Sequence, residues 1–396
     1  MANSLTAASP AFWSARMGRK LYKNVIYKSV ASSEEQSRLS FGVSVDRPYR
    51  SDLRVQNYVK GTAATAQDIT ATSDKLTIDK QKTILIYVDE VDKLQSNYDL
   101  AMYWSDEMGK RMGEQIDAEF LYEVVNANNT VDDADLGGTS GNPFAASVTN
   151  VQLVASKINR KLDEKNVPMD GRFWAISPQL KDFIWQYIAG KESLLGDKTT
   201  EFGNLGKFAG LDLYVTNNLA ASAIWTPANN PSNGDTITIG GVTFTFVNSI
   251  GTTAGNVLIA GSTAATLDNL VALINDPSTT NANQVGFTGS SLDTVSNMVA
   301  VDGTTYLQVY QKGISYITVT GSDATDIWSK KTQHSLAGLK GSIDLVIQKN
   351  PDVQSAPMAS VGKRGSNYMA LSVFGTKTFN QGKNQIVNVK VDSSSF

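Results

Sequence analysis

Leu76-Thr77-Ile78-Asp79-Lys80-Gln81-Lys82-Thr83-Ile84-Leu85-Ile86-Tyr87-Val88 runs directly into Asp89-Glu90-Val91-Asp92-Lys93-Leu94-Gln95-Ser96. In the first half Leu76, Ile78, Ile84, Ile86 and Val88 fall on one parity, with Lys80 and Lys82 among them. Period-two alternation predicts a long strand with one mainly apolar face. The two lysines interrupt that face near its start, as expected where a projecting hairpin leaves a core. In the second half the period changes. Ser96 can cap a helix and Asp99 suits its positive end. Tyr98, Ala101, Met108, Met112, Ile116, Phe120 and Val124 then recur at three- and four-residue steps. This predicts one long helix over about 96–126. Gly109 and Gly113 lie on one face of it, where a neighbour's backbone could come close.

On the N-terminal side, residues 1–60 are locally basic. They read as an extended arm followed by a strand around Phe41–Val45. On the C-terminal side a loop covers 128–147, and a second helix is predicted at about 149–165. A short strand at Phe173–Ile176 meets a third helix opened by Ser177-Pro178. Leu211–Val215 reads as another strand. At about 226 the composition shifts. Residues 226–330 hold two lysines, no arginine and no glutamate. Inside, Thr236–Ile239 and Val242–Phe246 flank Gly240-Gly241, a type I′ hairpin signature. A short helix with Leu267, Leu270, Val271 and Ile274 follows, then further strands. This predicts a small α+β module inserted into the chain, whose earlier style resumes after about 331. Strands are predicted near Ile343–Gln348, Ala370–Phe374 and Ile386–Val391.

Composition narrows the chemistry. The 396 residues carry 35 Lys+Arg against 38 Asp+Glu, a net charge of −3, which argues against a globally basic nucleic-acid binder. With no cysteine, disulfides, thiolate zinc sites and iron–sulfur clusters are impossible. The one histidine, His334, would have to serve any Ser-His-Asp arrangement. It is read here as a packed or surface residue on a helix in KKTQHSLAGLK. No apolar run of about 18–20 residues exists, so no membrane span is expected. The N-terminus has no signal-peptide core, so a soluble, non-exported chain is expected. Asp89, Glu90 and Asp92 lack the other ligands of a calcium loop and suit a helix N-terminus instead. Gly203-Asn204-Leu205-Gly206-Lys207-Phe208 fails the phosphate-loop pattern. No enzyme, cofactor or metal is expected.

Three stretches resemble the major capsid proteins of tailed double-stranded DNA bacteriophages, the Hong Kong ninety-seven-like fold. Leu76–Lys82 running into Val88–Ser96 resembles the end of that family's extended loop entering its spine helix. Phe202–Leu219 resembles the Gly-rich turn and strand of the axial domain, and Trp174-Ala175-Ile176-Ser177-Pro178 a strand-to-helix turn in the same domain.

The resemblance implies an α+β chain with an N-terminal arm at 1–40 and an extended hairpin loop at 41–91. A peripheral domain with the spine helix would take 92–148 and 365–396. An axial domain would take 149–225 and 331–364, leaving a β-rich insertion domain at 226–330. It implies pentamers and hexamers of an icosahedral shell, made in the host bacterial cytoplasm. A scaffolding protein, a portal and packaged DNA are the implied partners. Arg47, Arg50, Arg54, Lys80, Lys82, Asp89 and Glu90 are the candidate intersubunit contacts. The cation-poor insert suits an outer surface and the basic arm an inner one. No isopeptide crosslink is expected, because no partner Asn and activating Glu can be matched to Lys80 or Lys82. Two rival readings are an encapsulin-like nanocompartment shell, and a phage tail or adhesin subunit with a binding module at 226–330.

Overall fold

The computed structural model describes residues 21–37, 42–50, 53–63, 65–69, 71–95, 100–191, 206–323, 327–358 and 364–395. The chain opens with α1 (Tyr27–Val30), β1 (Ser44–Arg50), β2 (Ala71–Thr77), β3 (Lys80–Asp89), α2 (Glu90–Gln95) and α3 (Leu100–Tyr122). Its middle holds β4 (Asn129–Val131), α4 (Val151–Asp163), β5 (Arg172–Ile176), α5 (Pro178–Ala189), β6 (Lys207–Phe208), β7 (Leu211–Val215) and β8 (Ala220–Thr226). Next come β9 (Thr236–Ile239), β10 (Val242–Val247), β11 (Asn256–Leu258), α6 (Thr263–Asn275), α7 (Gly289–Val295), β12 (Met298–Asp302), β13 (Leu307–Lys312) and β14 (Val319–Gly321). The last part is β15 (Ile327–Leu339), β16 (Asp344–Pro357), β17 (Gly365–Lys377), α8 (Asn380–Gln385) and β18 (Ile386–Asp392).

These elements fall into two compact units. One takes Lys80–Gly113 and Lys349–Val373; the other takes Lys23–Asp79, Glu114–Gln348 and Phe374–Phe396. The elements α3, β16 and β17 each have residues in both units.

The larger unit is built on a nine-stranded sheet, ordered β12-β13-β8-β15-β5-β7-β6, with β18 paired to β15 and β4 to β18. Its central strands are buried on both faces, which explains their near-continuous apolar runs. Along β5, Trp174 and Ile176 enter a core with α4 and α5, through Val154, Ile158, Leu180 and Ile184. Phe173 and Ala175 point the other way, into a core with α1 and the second half of α3. Ser177 caps α5 by accepting from the Leu180 N–H at 3.3 Å, with Pro178 at the first turn.

The segment 226–330 carries its own four-stranded sheet, β11-β10-β9-β14. The β9–β10 turn is Gly240-Gly241 with φ of +58° and +83°, the type I′ geometry that glycine adopts without strain. This sheet packs with α6 over a core that includes Ala221, Ala223 and Trp225 of β8. Two of the segment's strands join the main sheet: β13 pairs with β8 from Leu307↔Trp225 to Lys312↔Ala220, and β12 pairs with β13. Segment and main sheet therefore share one hydrogen-bonded layer.

His334 lies on β15, not on a helix, and is buried. The polar run Thr332–Ser335 hides the strand in the sequence, because each side chain is buried with a partner instead of facing water. Gln333 donates to the Ser315 carbonyl at 2.8 Å, and Ser335 accepts from the Trp174 indole at 2.8 Å.

The long strand expected over 76–88 is two strands. β2 ends at Thr77 and β3 starts at Lys80, and they belong to different sheets. Ile78 N–H bonds the Val43 carbonyl at 2.8 Å, and the Thr77 carbonyl lies 2.5 Å from where a Cβ on Gly375 would stand. Only glycine allows β17 to approach there. The apolar parity nevertheless continues across the break. Leu76 and Ile78 are buried, and Ile84, Ile86 and Val88 pack with Met108, Met112 and Ala370 in the smaller unit.

The helix α3 begins at Leu100 and passes into a 3-10 turn at Glu123–Asn126; the expected cap at Ser96 lies outside the described residues. Among the described residues, and apart from the helix's own backbone, no atom comes within 4 Å of a Cβ position at Gly109 or Gly113.

Candidate assembly surface

In the larger unit, β1 and β2 form an antiparallel hairpin, in register from Ser44↔Thr77 to Arg50↔Ala71. Its base is tied down. Arg47 reaches Glu35 at 2.7 Å and Asp344 at 3.2 Å, and its guanidinium lies 4.1 Å from the Phe379 ring centroid. Burial pushes the Asp344 carboxyl above its usual range, and Arg47 opposes that shift. The Asn380 N–H donates to the Tyr49 hydroxyl at 2.8 Å, and Lys377 pairs with Asp74 at 3.3 Å. Glu35 and Asp344 are both buried. Arg47→Met should therefore lower subunit stability by about 3 kcal/mol, since it strands two buried carboxylates. A denaturant midpoint measured on the unassembled chain checks this.

The hairpin's tip is the opposite. Residues 51–70 connect the strands, and Leu53, Val55, Tyr58, Val59 and Ile69 there are exposed. The loop is internally braced: Gln67 accepts from the Arg54 N–H at 2.9 Å and donates to the Arg54 carbonyl. Among the described residues, the exposed apolar side chains of this connection lie between 53 and 69. Lys80 and Lys82 are half-buried at the start of β3 instead.

In the smaller unit, β3 lies at the edge of the sheet β16-β17-β3. Its outward face shows Leu85 and Tyr87, and Val91 and Leu94 of α2 are also exposed. Asp89 accepts from the Val91 N–H at 2.9 Å and from the Tyr87 hydroxyl at 2.9 Å. Those bonds hold its carboxyl below the usual range. Glu90 lies 3.7 Å from Arg364, both exposed, an interaction of little strength.

The candidate contacts therefore separate. Arg47 and Asp89 are engaged inside the chain. Arg54 is exposed on the loop, Lys80 and Lys82 are half-buried, and Glu90 is exposed. Arg50 is the last residue of β1, opposite Ala71. Sequence reading missed the apolar tip, because its side chains follow no period. The available signal was bulky apolar residues where no helix or strand could bury them.

The single histidine of the sequence lies beside a serine and an asparagine. His334 Nδ1 lies 3.0 Å from Asn388 Oδ1 and Nε2 lies 2.9 Å from Ser222 Oγ. All three are buried and none lines a described cleft. Among the described residues no cluster of His, Asp and Glu suits a metal ion, and no helix is long and apolar enough to cross a membrane.

The model of the family described as phage capsid protein matches residues 72–258, from the hairpin's second strand through α3 to β11. The family match and the fold together support a phage major capsid protein. The solved structures show its fold. A chain of Mycobacterium phage Che8 is similar with a TM-score of 0.57 and 15% identity, covering 96% of each chain. The capsid of cyanophage P-SCSP1u is similar at 0.56 and 12% identity, covering 99% of this chain and 95% of that one. The capsid of a native GTA particle is similar at 0.53 and 8% identity, over 99% of both. No curated protein matches. These matches support a structural component of an icosahedral virion shell, a role that implies association with copies of itself. Neither the nanocompartment nor the tail-subunit reading is favoured.

Proposed function

We propose that the apolar tip at 53–69 is the grip by which one capsid subunit holds the next, within pentamers and hexamers of a closed shell. The observation that carries this is the contrast along one hairpin: an anchored base and five uncovered apolar side chains at the tip. Fully burying such side chains is worth roughly 1.5–3 kcal/mol each. A patch of this kind, held away from its own core, fits a heterologous contact that closes into a ring. Arg54, Arg50, Lys80, Lys82 and Glu90 supply charges around these contacts. Such exposed pairs add only about 0–1 kcal/mol each and set register more than strength. A scaffolding protein and a portal complete the assembly in the host cytoplasm, with packaged DNA inside. The protein's role is structural, without catalysis.

The test replaces Leu53, Val55, Tyr58 and Val59 together with serine. The subunit should melt as the wild type does, because these side chains touch no core of their own. Sedimentation should then show free subunits where the wild type gives shells. Normal shells from the fourfold variant would sink the proposal.

A further inference from the structure

At the start of β15 the pairing with β8 slips between Ser329 and Thr332, leaving an extra residue on β15. Within that bulge Lys330 sits at φ +48°, a left-handed conformation that a side chain adopts only at a cost. The bulge borders a cleft of about 570 Å³, lined by Asn142, Trp328, Lys330, Lys331 and Asp392 among others. Small-molecule sites span about 300–1,000 Å³.

Two adjacent lysines of β15 and a third from β18 come together here. Lys330 and Lys331 line the cleft, and the Lys330 ammonium lies 4.0 Å from the Cβ position of Gly141. Lys390, on the neighbouring strand β18, is partly buried. Burial holds its pKa below the usual lysine range; the nearby Asp132 opposes that shift, and Lys330 adds to it. Among the described residues none of the three forms an ion pair. The cation-poor character of 226–330 thus stops at its last residue, where folding assembles a basic cluster. Asp392, which also lines the cleft, accepts from the Ser394 N–H at 2.9 Å and hydroxyl at 2.6 Å. Trp328 stacks on Trp225 at 6.1 Å and 26° and remains partly exposed at the cleft.

Lysines bind phosphate as point charges, and an indole face stacks on any base. Two lysines against one carboxylate in the cleft leave one net positive charge. That matches a phosphodiester, with a single negative charge, better than a phosphate monoester carrying about −1.5 to −2. We propose that this cleft binds a single-stranded nucleic-acid segment, with a phosphodiester on Lys330 and Lys331 and a base against Trp328. The inference stands apart from shell assembly and is tested on the unassembled chain.

The probe is a fluorescein-labelled ten-nucleotide oligothymidine, followed by anisotropy between 50 and 200 mM salt. Lys330→Gln and Lys331→Gln should each weaken binding about 3- to 10-fold and reduce the salt slope by about 1. Lys165→Gln, on the exposed turn after α4, should change neither. An abasic strand of equal length should bind more weakly than oligothymidine, and a duplex should not show the lysine dependence. Wild-type binding by both lysine variants would overturn the site and assign any affinity to cations elsewhere. Equal binding of the abasic strand would overturn the base contact.

Discussion

Acidifying the unassembled subunit from pH 6.5 to pH 4 should remove about 3 kcal/mol of stability through His334 alone. The imidazole is fully enclosed in the main sheet, between β8 and β18. Burial lowers its pKa from 6.5 to about 4, against a smaller upward pull from the Asn388 bond; Lys390 lowers it further. Asn388 accepts the Nδ1 proton, so Nε2 is left to accept from Ser222. A second proton on the ring would break that acceptance and place an uncompensated charge among buried strands. Between pH 6.5 and 4 the unfolded chain binds the proton and the folded chain does not, so stability falls as pH falls through this window. Above it the contribution is constant. Carboxylates such as Asp344 also titrate in acid, so the readout is the difference between wild type and His334→Gln. The variant's stability should depend less on pH by that amount. Proton NMR gives an independent reading, because the single imidazole has unique ring resonances. Those should titrate near pH 4 in the folded protein. A midpoint near 6.5 would show that the ring is open to water.

Asp117→Ala should cost about 3–5 kcal/mol, the scale of removing one partner from a buried charged network. Asp117, on α3, is fully buried. Its Oδ1 accepts from the backbone N–H groups of Ile26 at 3.0 Å and Tyr27 at 2.8 Å, and its Oδ2 from the Asn218 amide at 3.1 Å. One turn earlier, Glu114 accepts from the Lys23 N–H at 2.6 Å. The two carboxylates fasten residues 23–30 to the helix, and Ile26, Tyr27 and Val30 enter the same core as Phe120 and Phe374. Alanine would leave the two backbone N–H groups buried without an acceptor, and Asn218 with the Glu114 carbonyl alone at 2.7 Å. A drop in the denaturant midpoint, with early hydrogen exchange at Ile26 and Tyr27, is the expected result. Unchanged protection at those two amides would show that packing alone holds the segment.

Much of this fold was legible where local and global preferences agree. The α3 stripe, the Ser177-Pro178 helix start and the Gly240-Gly241 turn each follow from side-chain spacing or backbone freedom over a few residues. The readings that failed depended on distant partners. Thr332–Ser335 read as helical because nothing nearby announces that Ser315 meets Gln333, that Ser222 and Asn388 meet His334, and that Trp174 meets Ser335. The split at Ile78-Asp79 follows from β17 arriving at Gly375, some three hundred residues later, while the alternation passes through undisturbed. Likewise 226–330 looks self-contained in composition, yet β13 finishes beside β8. Of the candidate contacts, charge alone could not separate Arg47, enclosed by Glu35 and Asp344, from Arg54 on the open loop. The apolar tip was visible only as hydrophobic residues without a period.

The most direct test of the account is cryo-electron microscopy of particles assembled from this chain. The account predicts closed icosahedral shells in which residues 53–69 of every subunit lie against a neighbouring copy, with Leu53, Val55, Tyr58 and Val59 covered. Shells in which that loop stands bare in solvent, or a failure to form closed particles even with a scaffold, would contradict it.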